Sequence, residues 1–534
     1  MRRWNGWGSE KNNYPLPKNG KQFLEELIGK GNILPDATLQ QVIATVPASR
    51  LPEHPLINQE AEIRVRHARG QSLPDWLAMR SGEFEVFPDG VAEPESSAEV
   101  QEILTWALEH NVIVIPYGGG TSVAGHITPP QFEQPVLTLS LRKMNKLLHF
   151  DAESQLATFG AGTNGPELEG QLAELGYCLG HYPQSWELST VGGWVASRSS
   201  GQQSLRYGRI EQMFAGGRVE TPQGTLAIPT FPASSAGPDL REMILGSEGR
   251  FGVLTEVVVR VTPLPETENF HVAFMPSWEA GVAAVRAMAQ AKLPLSMLRL
   301  SNGIETKTQL QLAGKPLLVA ALERYLGLRG LKEGKCMLTF GVTGSKQGAR
   351  YQLKEAQGFI REYGGVNTGA ALGKRWESSR FRSPYFRHGL WELGYAVDTF
   401  ETATNWSNVP KLAERMEAAI KKAAGDRPIH VFTHLSHVYG QGSSIYTTYV
   451  FPCGEDYEAT LKTWRGYKKA ASDAVVQGGG TISHQHGVGR DHAPWMAKEK
   501  GELAIATIAS LSQHFDPTQQ LNPGCLFKDE NDAS

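Results

Sequence analysis

The segment Ile115-Pro-Tyr-Gly-Gly-Gly-Thr-Ser-Val-Ala-Gly125 constrains this chain more than any other. It follows Val112-Ile-Val-Ile115, an apolar run that reads as a buried strand. A helix is predicted before it. Ser96-x-x-Glu99 forms a capping box, Val100, Ile103, Leu104, Ala107 and Leu108 share one face, and Asn111 ends the pattern. Three consecutive glycines carry no Cβ, so their backbone N–H groups can close on a ligand, above all a phosphate. A P-loop NTPase needs Lys-Ser/Thr after its glycines, whereas Gly120 is followed by Thr-Ser-Val. The Rossmann fingerprint needs a third Gly or Ala, and Val123 stands there. Alone, the triple glycine serves equally well as a tight turn.

Two further segments of similar texture follow, Leu188-Ser-Thr-Val-Gly-Gly-Trp-Val195 and Leu245-Gly-Ser-Glu-Gly-Arg-Phe-Gly-Val-Leu-Thr-Glu256. With 534 residues the chain exceeds what one core accommodates. The pattern divides it into an N-terminal segment of short helices and Pro-rich turns (1–80), a glycine-loop domain (81–266), an α+β cap (267–480) and a C-terminal segment that completes the first domain (481–534). In the cap, strands at about 429–438 and 443–451 lie between helices at about 409–424 and 456–476, a texture that predicts a largely antiparallel sheet.

A formal net charge of −3 gives no reason to expect nucleic acid as a partner. Four scattered cysteines without a CxxC pair predict no disulfide framework and a reducing, cytoplasmic setting. No apolar run reaches the length of a membrane span. Polar Asn5-Gly-Trp-Gly-Ser-Glu10 after Arg2-Arg3 does not read as a twin-arginine signal, and Asp532-Ala-Ser534 is not a peroxisomal triplet.

Taken together, the segments at 116–125, 183–201 and 245–256 resemble the FAD domain of the vanillyl-alcohol-oxidase/p-cresol-methylhydroxylase superfamily. The resemblance implies a two-domain α+β fold with an inserted cap. Pro116, Gly118, Gly119, Gly120, Thr121 and Ser122 would cradle the pyrophosphate, Ser185, Thr190 and Gly193 would lie along the flavin, and Glu248 would face the nucleotide. Covalent members attach flavin through a histidine in or near these loops. Gly120-Thr-Ser-Val123 has none, so non-covalent FAD is expected.

Within that superfamily the chain resembles the alkyldihydroxyacetonephosphate (alkylglycerone-phosphate) synthases along nearly its full length. The carriers are Trp4-Asn-Gly-Trp-Gly8, Arg69-Gly-Gln-Ser-Leu-Pro-Asp-Trp76, Ser296-Met-Leu-Arg-Leu300, Tyr385-Phe-Arg387, Ile445-Tyr446 and Ser483-His-Gln-His-Gly-Val-Gly489. The family exchanges the acyl chain of acyl-dihydroxyacetone phosphate for a fatty alcohol through an adduct at flavin N5. The chemistry needs a base near neutral pKa and an arginine fork for the phosphate. By match, Arg387 is the phosphate clamp, Arg299 a second active-site arginine, Tyr446 and His486 acid/base groups, and His484 their neighbour. A lipid substrate also implies peripheral membrane contact, and the expected assembly is a homodimer. The family shows three consecutive histidines where this chain has His484-Gln485-His486, and glutamine cannot exchange a proton.

An FAD-linked dehydrogenase or oxidase of a D-2-hydroxy acid or glycerol-phosphate-like substrate is the competing reading. The related metal-dependent dehydrogenases carry an acidic residue, a second histidine and a glutamate at positions occupied here by Gln441, Tyr446 and Gln485. No metal is therefore expected. A flavin-binding module without activity is the third reading.

Overall fold

The computed structural model describes residues 2–528; the triplet Asp532–Ser534 lies outside them. The predicted helix forms over Ser97–Glu109, with Ser96 accepting from the Glu99 N–H. Asn111 leaves the helix at φ +52, a left-handed value that asparagine tolerates. The chain then enters the strand Ile113–Tyr117, which pairs in parallel with Val136–Ser140 inside a four-stranded sheet. The C-terminal tail joins at this point: Val114 donates to the Gln520 carbonyl and accepts from the Asn522 N–H. A five-stranded antiparallel sheet of 147–151, 156–160, 253–260, 214–221 and 224–228 lies beside it in the same hydrophobic core.

The remaining strands form one seven-stranded antiparallel sheet in the order 366–367, 267–275, 336–344, 297–301, 430–435, 442–452, 395–405. Helices Val409–Ala424 and Tyr457–Gln477 pack against it, as their apolar spacing requires. The fold is thus α+β, with a glycine-loop region and a sheet-based cap. Leu34, Leu73, Trp76 and Leu77, from the segment the sequence sets apart at the N-terminus, are built into the cap's core. Trp76 is completely buried.

Several elements have no clear signal in the sequence. The strand Tyr395–Asn405 alternates polar residues on both faces, and Arg387, in a stretch that also reads as a basic loop, lies on the helix Ser383–Trp391. The helix Pro316–Leu328 packs Val319, Leu322 and Leu326 against a small core but leaves Leu317, Leu318 and Leu328 at 86%, 63% and 81% exposure, so apolar residues lie on both its buried and its open sides. Among the described residues no helix is long and apolar enough to cross a membrane.

Candidate active site

The strand Ile113–Tyr117 delivers its glycines against the second glycine segment. A Cβ on Gly118 would strike the Thr190 hydroxyl, and one on Gly119 would strike the Leu188 carbonyl. Gly120 needs φ +66. This close approach leaves six consecutive backbone N–H groups, Gly118 through Val123, without an acceptor among the described residues. Buried N–H groups rarely go unpaired, and a run of them at a strand end is a cradle for an anion. The donor set therefore fits the pyrophosphate of FAD. Thr190 caps the short helix Val191–Ala196, its hydroxyl accepting from the Gly193 N–H at 3.3 Å.

The third segment ties the cradle to the C-terminal turn. Glu248, at φ +52, accepts from the N–H groups of Val488 at 2.6 Å and Gly489 at 2.8 Å. His126 lies 3.1 Å from the same carboxylate, and its Nδ1 is 2.5 Å from the Ser122 hydroxyl. Glu248 lines the cavity, but its carboxylate is already engaged by protein donors.

A single cavity of about 1540 Å³ runs from these loops into the cap. Pro116, Gly118, Gly119, Gly120, Thr121, Ser122, Ser185, Thr190, Gly193 and Glu248 line it, as do Arg299, Arg387, Tyr446 and His486. Its volume exceeds the roughly 300–1,000 Å³ of a typical ligand pocket. Part of its wall is apolar: Leu16, Leu24, Leu390, Phe432 and Val450 form one cluster there, and Leu310 and Leu318 also line it.

Arg387 donates from Nη1 to the Gln71 carbonyl at 2.6 Å and lies 4.5 Å over the Trp76 ring. Its Nε and Nη2 are out of solvent and have no partner. Burial lowers its pKa to about 10, so the guanidinium stays charged at neutral pH. Arg299 is differently placed: Nη2 donates to Glu305 at 2.7 Å, and Glu305 also meets His434 Nδ1 at 3.0 Å. Burial would raise the Glu305 carboxyl, but His434 and Arg299 hold it at about 2. Arg299 therefore reaches the cavity with much of its charge balanced.

Tyr446 lies on the strand Gly442–Pro452 and donates to the Thr399 hydroxyl at 3.1 Å. Its ring stacks 4.8 Å from His434 and stands edge-on to His486 at 5.6 Å. Burial pushes the phenol up to about 12 and depresses the His486 imidazolium, with Glu401 opposing the latter shift. At neutral pH the pair is a protonated phenol beside a neutral imidazole.

His484 departs from expectation. Its side chain does not line the cavity; Nε2 meets the Tyr439 hydroxyl at 2.7 Å, and the ring packs 5.1 Å from His437. The path of the His484–His486 turn brings the adjacent Gln485 and His486 to the cavity and leaves His484 away from it. Two further histidines near the cavity are also engaged, His437 with the Ser200 and Ser204 hydroxyls and His430 with Thr308. Among the described residues no group of three or more His, Cys, Asp or Glu has metal-binding placement.

Two residues not singled out in the sequence contact the expected site residues, Gln71 at Arg387 and Glu401 at the His484–His486 turn. Glu401 lies directly across the strand pair from Tyr446, and its carboxylate takes the backbone N–H groups of the His484–His486 turn.

Residues 88–228 match the family model described as an FAD binding domain, and residues 264–526 match the FAD linked oxidases, C-terminal domain. The alkyldihydroxyacetonephosphate synthase of Dictyostelium discoideum is 32% identical over 529 residues, spanning 96% of this chain and 82% of that protein. A solved alkyldihydroxyacetonephosphate synthase structure superposes with a TM-score of 0.83 at 27% identity, covering 98% of each chain. P-cresol methylhydroxylase shares the fold at a TM-score of 0.70 and 15% identity, over 93% of this chain and 97% of that one. The cofactor is FAD, and the chain belongs to the alkyldihydroxyacetonephosphate synthase family of FAD-dependent enzymes.

Proposed function

We propose that this enzyme exchanges the acyl group of an acyl-dihydroxyacetone phosphate for a fatty alcohol. The observation that carries the reading is the charged Arg387 fork, with two unpartnered donors, in a cavity that also has an apolar wall. Such a fork suits a phosphate, and the apolar wall suits an aliphatic chain.

The overall exchange balances without net electrons. The bond between the headgroup carbon and the ester oxygen breaks, the carboxylate departs with both its oxygens, and the alcohol oxygen becomes the ether oxygen. Arg387 would hold the phosphate and fix the headgroup. Neutral His486 would accept the proton released beside the carbonyl, and protonated Tyr446 would return one to the departing side. Bound FAD supplies an electrophilic ring for redox-neutral chemistry. It is held by the Gly118–Val123 cradle, and the absence of histidine from Gly120–Val123 supports dissociable binding.

The same reading extends to a lipid surface. Leu318 lines the cavity and shares its helix with the exposed Leu317 and Leu328, with Lys315, Arg324, Arg329 and Lys332 on or beside that helix. Apolar side chains fringed by cations suit an anionic bilayer.

The test is incubation of FAD-loaded protein with palmitoyl-dihydroxyacetone phosphate and radiolabelled hexadecanol. Label should enter an alkali-stable lipid phosphate. Absence of that product, together with anaerobic bleaching by a D-2-hydroxy acid or glycerol phosphate, would assign a dehydrogenase instead.

A further inference from the structure

The active-site turn Ser483–Gly489 has little secondary structure of its own, yet it must present one side chain to the cavity and withdraw another. Gly487 and Gly489 at φ +80 and +55 let the chain reverse, but they do not choose which residue faces inward. A carboxylate on the strand Tyr395–Asn405 meets the first half of this turn. Oε1 of Glu401 accepts from His484 N–H at 2.9 Å, Gln485 N–H at 2.8 Å, His486 N–H at 3.1 Å and the Ser483 hydroxyl at 3.1 Å. Three successive N–H groups converging on one anion form a nest.

We propose that Glu401 is the positioning residue of the active site: by holding the 484–486 backbone it aims Gln485 and His486 into the cavity and draws His484 behind them. The identification of His486 as base rests on the functional reading above; the backbone hold does not.

The surrounding charges agree. Oε2 of Glu401 lies 3.4 Å from His484 Nδ1, and Oε1 lies 3.9 Å from His486 Nδ1. Glu401 is 4% exposed, with its carboxyl held well below the usual range by these donors despite burial. Lys468, Asp398 and Arg209 are the other charged groups acting on the two histidines from neighbouring elements, with Glu211 adding to His484. The cross-strand pairing of Glu401 with Tyr446 puts the anchor and the phenol on adjacent strands. A second carboxylate, Glu248, grips the turn further on at Val488 and Gly489, so the two halves of the turn have separate anchors.

Residue-resolved amide exchange on the FAD-loaded protein tests the hold. Glu401→Gln keeps one acceptor oxygen but loses the charge. Exchange at His484, Gln485 and His486 should accelerate by about tenfold or more, because charge-assisted bonds are roughly twice as strong as neutral ones. Val488 and Gly489 should keep their wild-type rates. Unchanged rates at all three amides would overturn the proposal. Should the glutamine variant fail to retain FAD, Glu401→Asp keeps the charge one methylene further away and should speed the same three amides.

The second readout is a pH profile, which a purely structural support would not move. The Glu401 carboxylate raises the His486 imidazolium, so Glu401→Gln should shift the acid limb of kcat/KM to lower pH. Ser483→Ala, which removes a neutral bond to the same oxygen, should leave that limb in place. Equal limbs in wild type and Glu401→Gln would refute the positioning of His486. If wild-type protein shows no acyl-to-alkyl exchange, the functional reading fails, while amide exchange still decides the role of Glu401.

Discussion

Arg387→Met separates a ligand-binding arginine from one that holds the fold. Nε and Nη2 are buried without partners, so both are free to bond an incoming phosphate. Hydrogen bonds to charged groups contribute about 1.5–3 kcal/mol each. Two of them amount to about 3–6 kcal/mol, or roughly 10²- to 10⁴-fold in kcat/KM. Stability should respond differently. Methionine forfeits the Gln71 bond, worth about 1 kcal/mol, and the Trp76 contact, worth about 0.5–2 kcal/mol. It also removes two desolvated, unsatisfied donors whose burial costs about 1–3 kcal/mol each. The opposing effects are of the same size, so Tm should stay within roughly 3 °C of wild type. The assay is steady-state kinetics with acyl-dihydroxyacetone phosphate alongside thermal unfolding of the FAD-loaded protein. A variant with kcat/KM within about threefold of wild type would refute the clamp. Loss of activity together with a Tm drop on the order of 10 °C would show that the guanidinium supports the fold instead.

Other outcomes follow from the same geometry. Tyr446→Phe removes only a hydroxyl bonded to Thr399, so FAD binding and Tm should persist while kcat falls about 10²- to 10⁴-fold; near-normal turnover would remove the phenol from the chemistry. Because burial depresses the His486 imidazolium, its neutral form persists below the ordinary histidine range. Activity should therefore hold as pH falls through about 6.5 and decline only at lower pH, and a limb at or above that value would contradict the assignment. Acid precipitation should release the flavin into the supernatant, and a yellow pellet would show covalent attachment. Anionic vesicles should co-sediment the protein, and Leu317→Asp with Leu328→Asp should abolish this; equal sedimentation of the variant would dismiss the exposed helix as the membrane contact.

The cradle was legible because a triple glycine after an apolar strand has few physical uses, and its two companion segments narrow those to FAD. The long cap helices were legible from their apolar spacing. Glu401 was not: on the strand Tyr395–Asn405 it sits among threonines and Asp398, and a carboxylate in such a run reads as solvent-facing. Its burial is set by the turn that arrives some 83 residues later, a tertiary contact with no local trace. His484 and His486 look equivalent in sequence because only the path of the turn distinguishes them. The helix Pro316–Leu328 is ambiguous for the opposite reason: Val319, Leu322 and Leu326 face a small core, but exposed Leu317, Leu318 and Leu328 on its other sides blur the one-sided pattern.

The central claim is that the alcohol displaces the acyloxy group at the headgroup carbon. Fatty alcohol labelled with ¹⁸O tests it most directly. The product ether should retain the label, and the released fatty acid should carry none. Label-free ether, or label appearing in a new ester, would contradict the account by showing that the bond broken lies elsewhere.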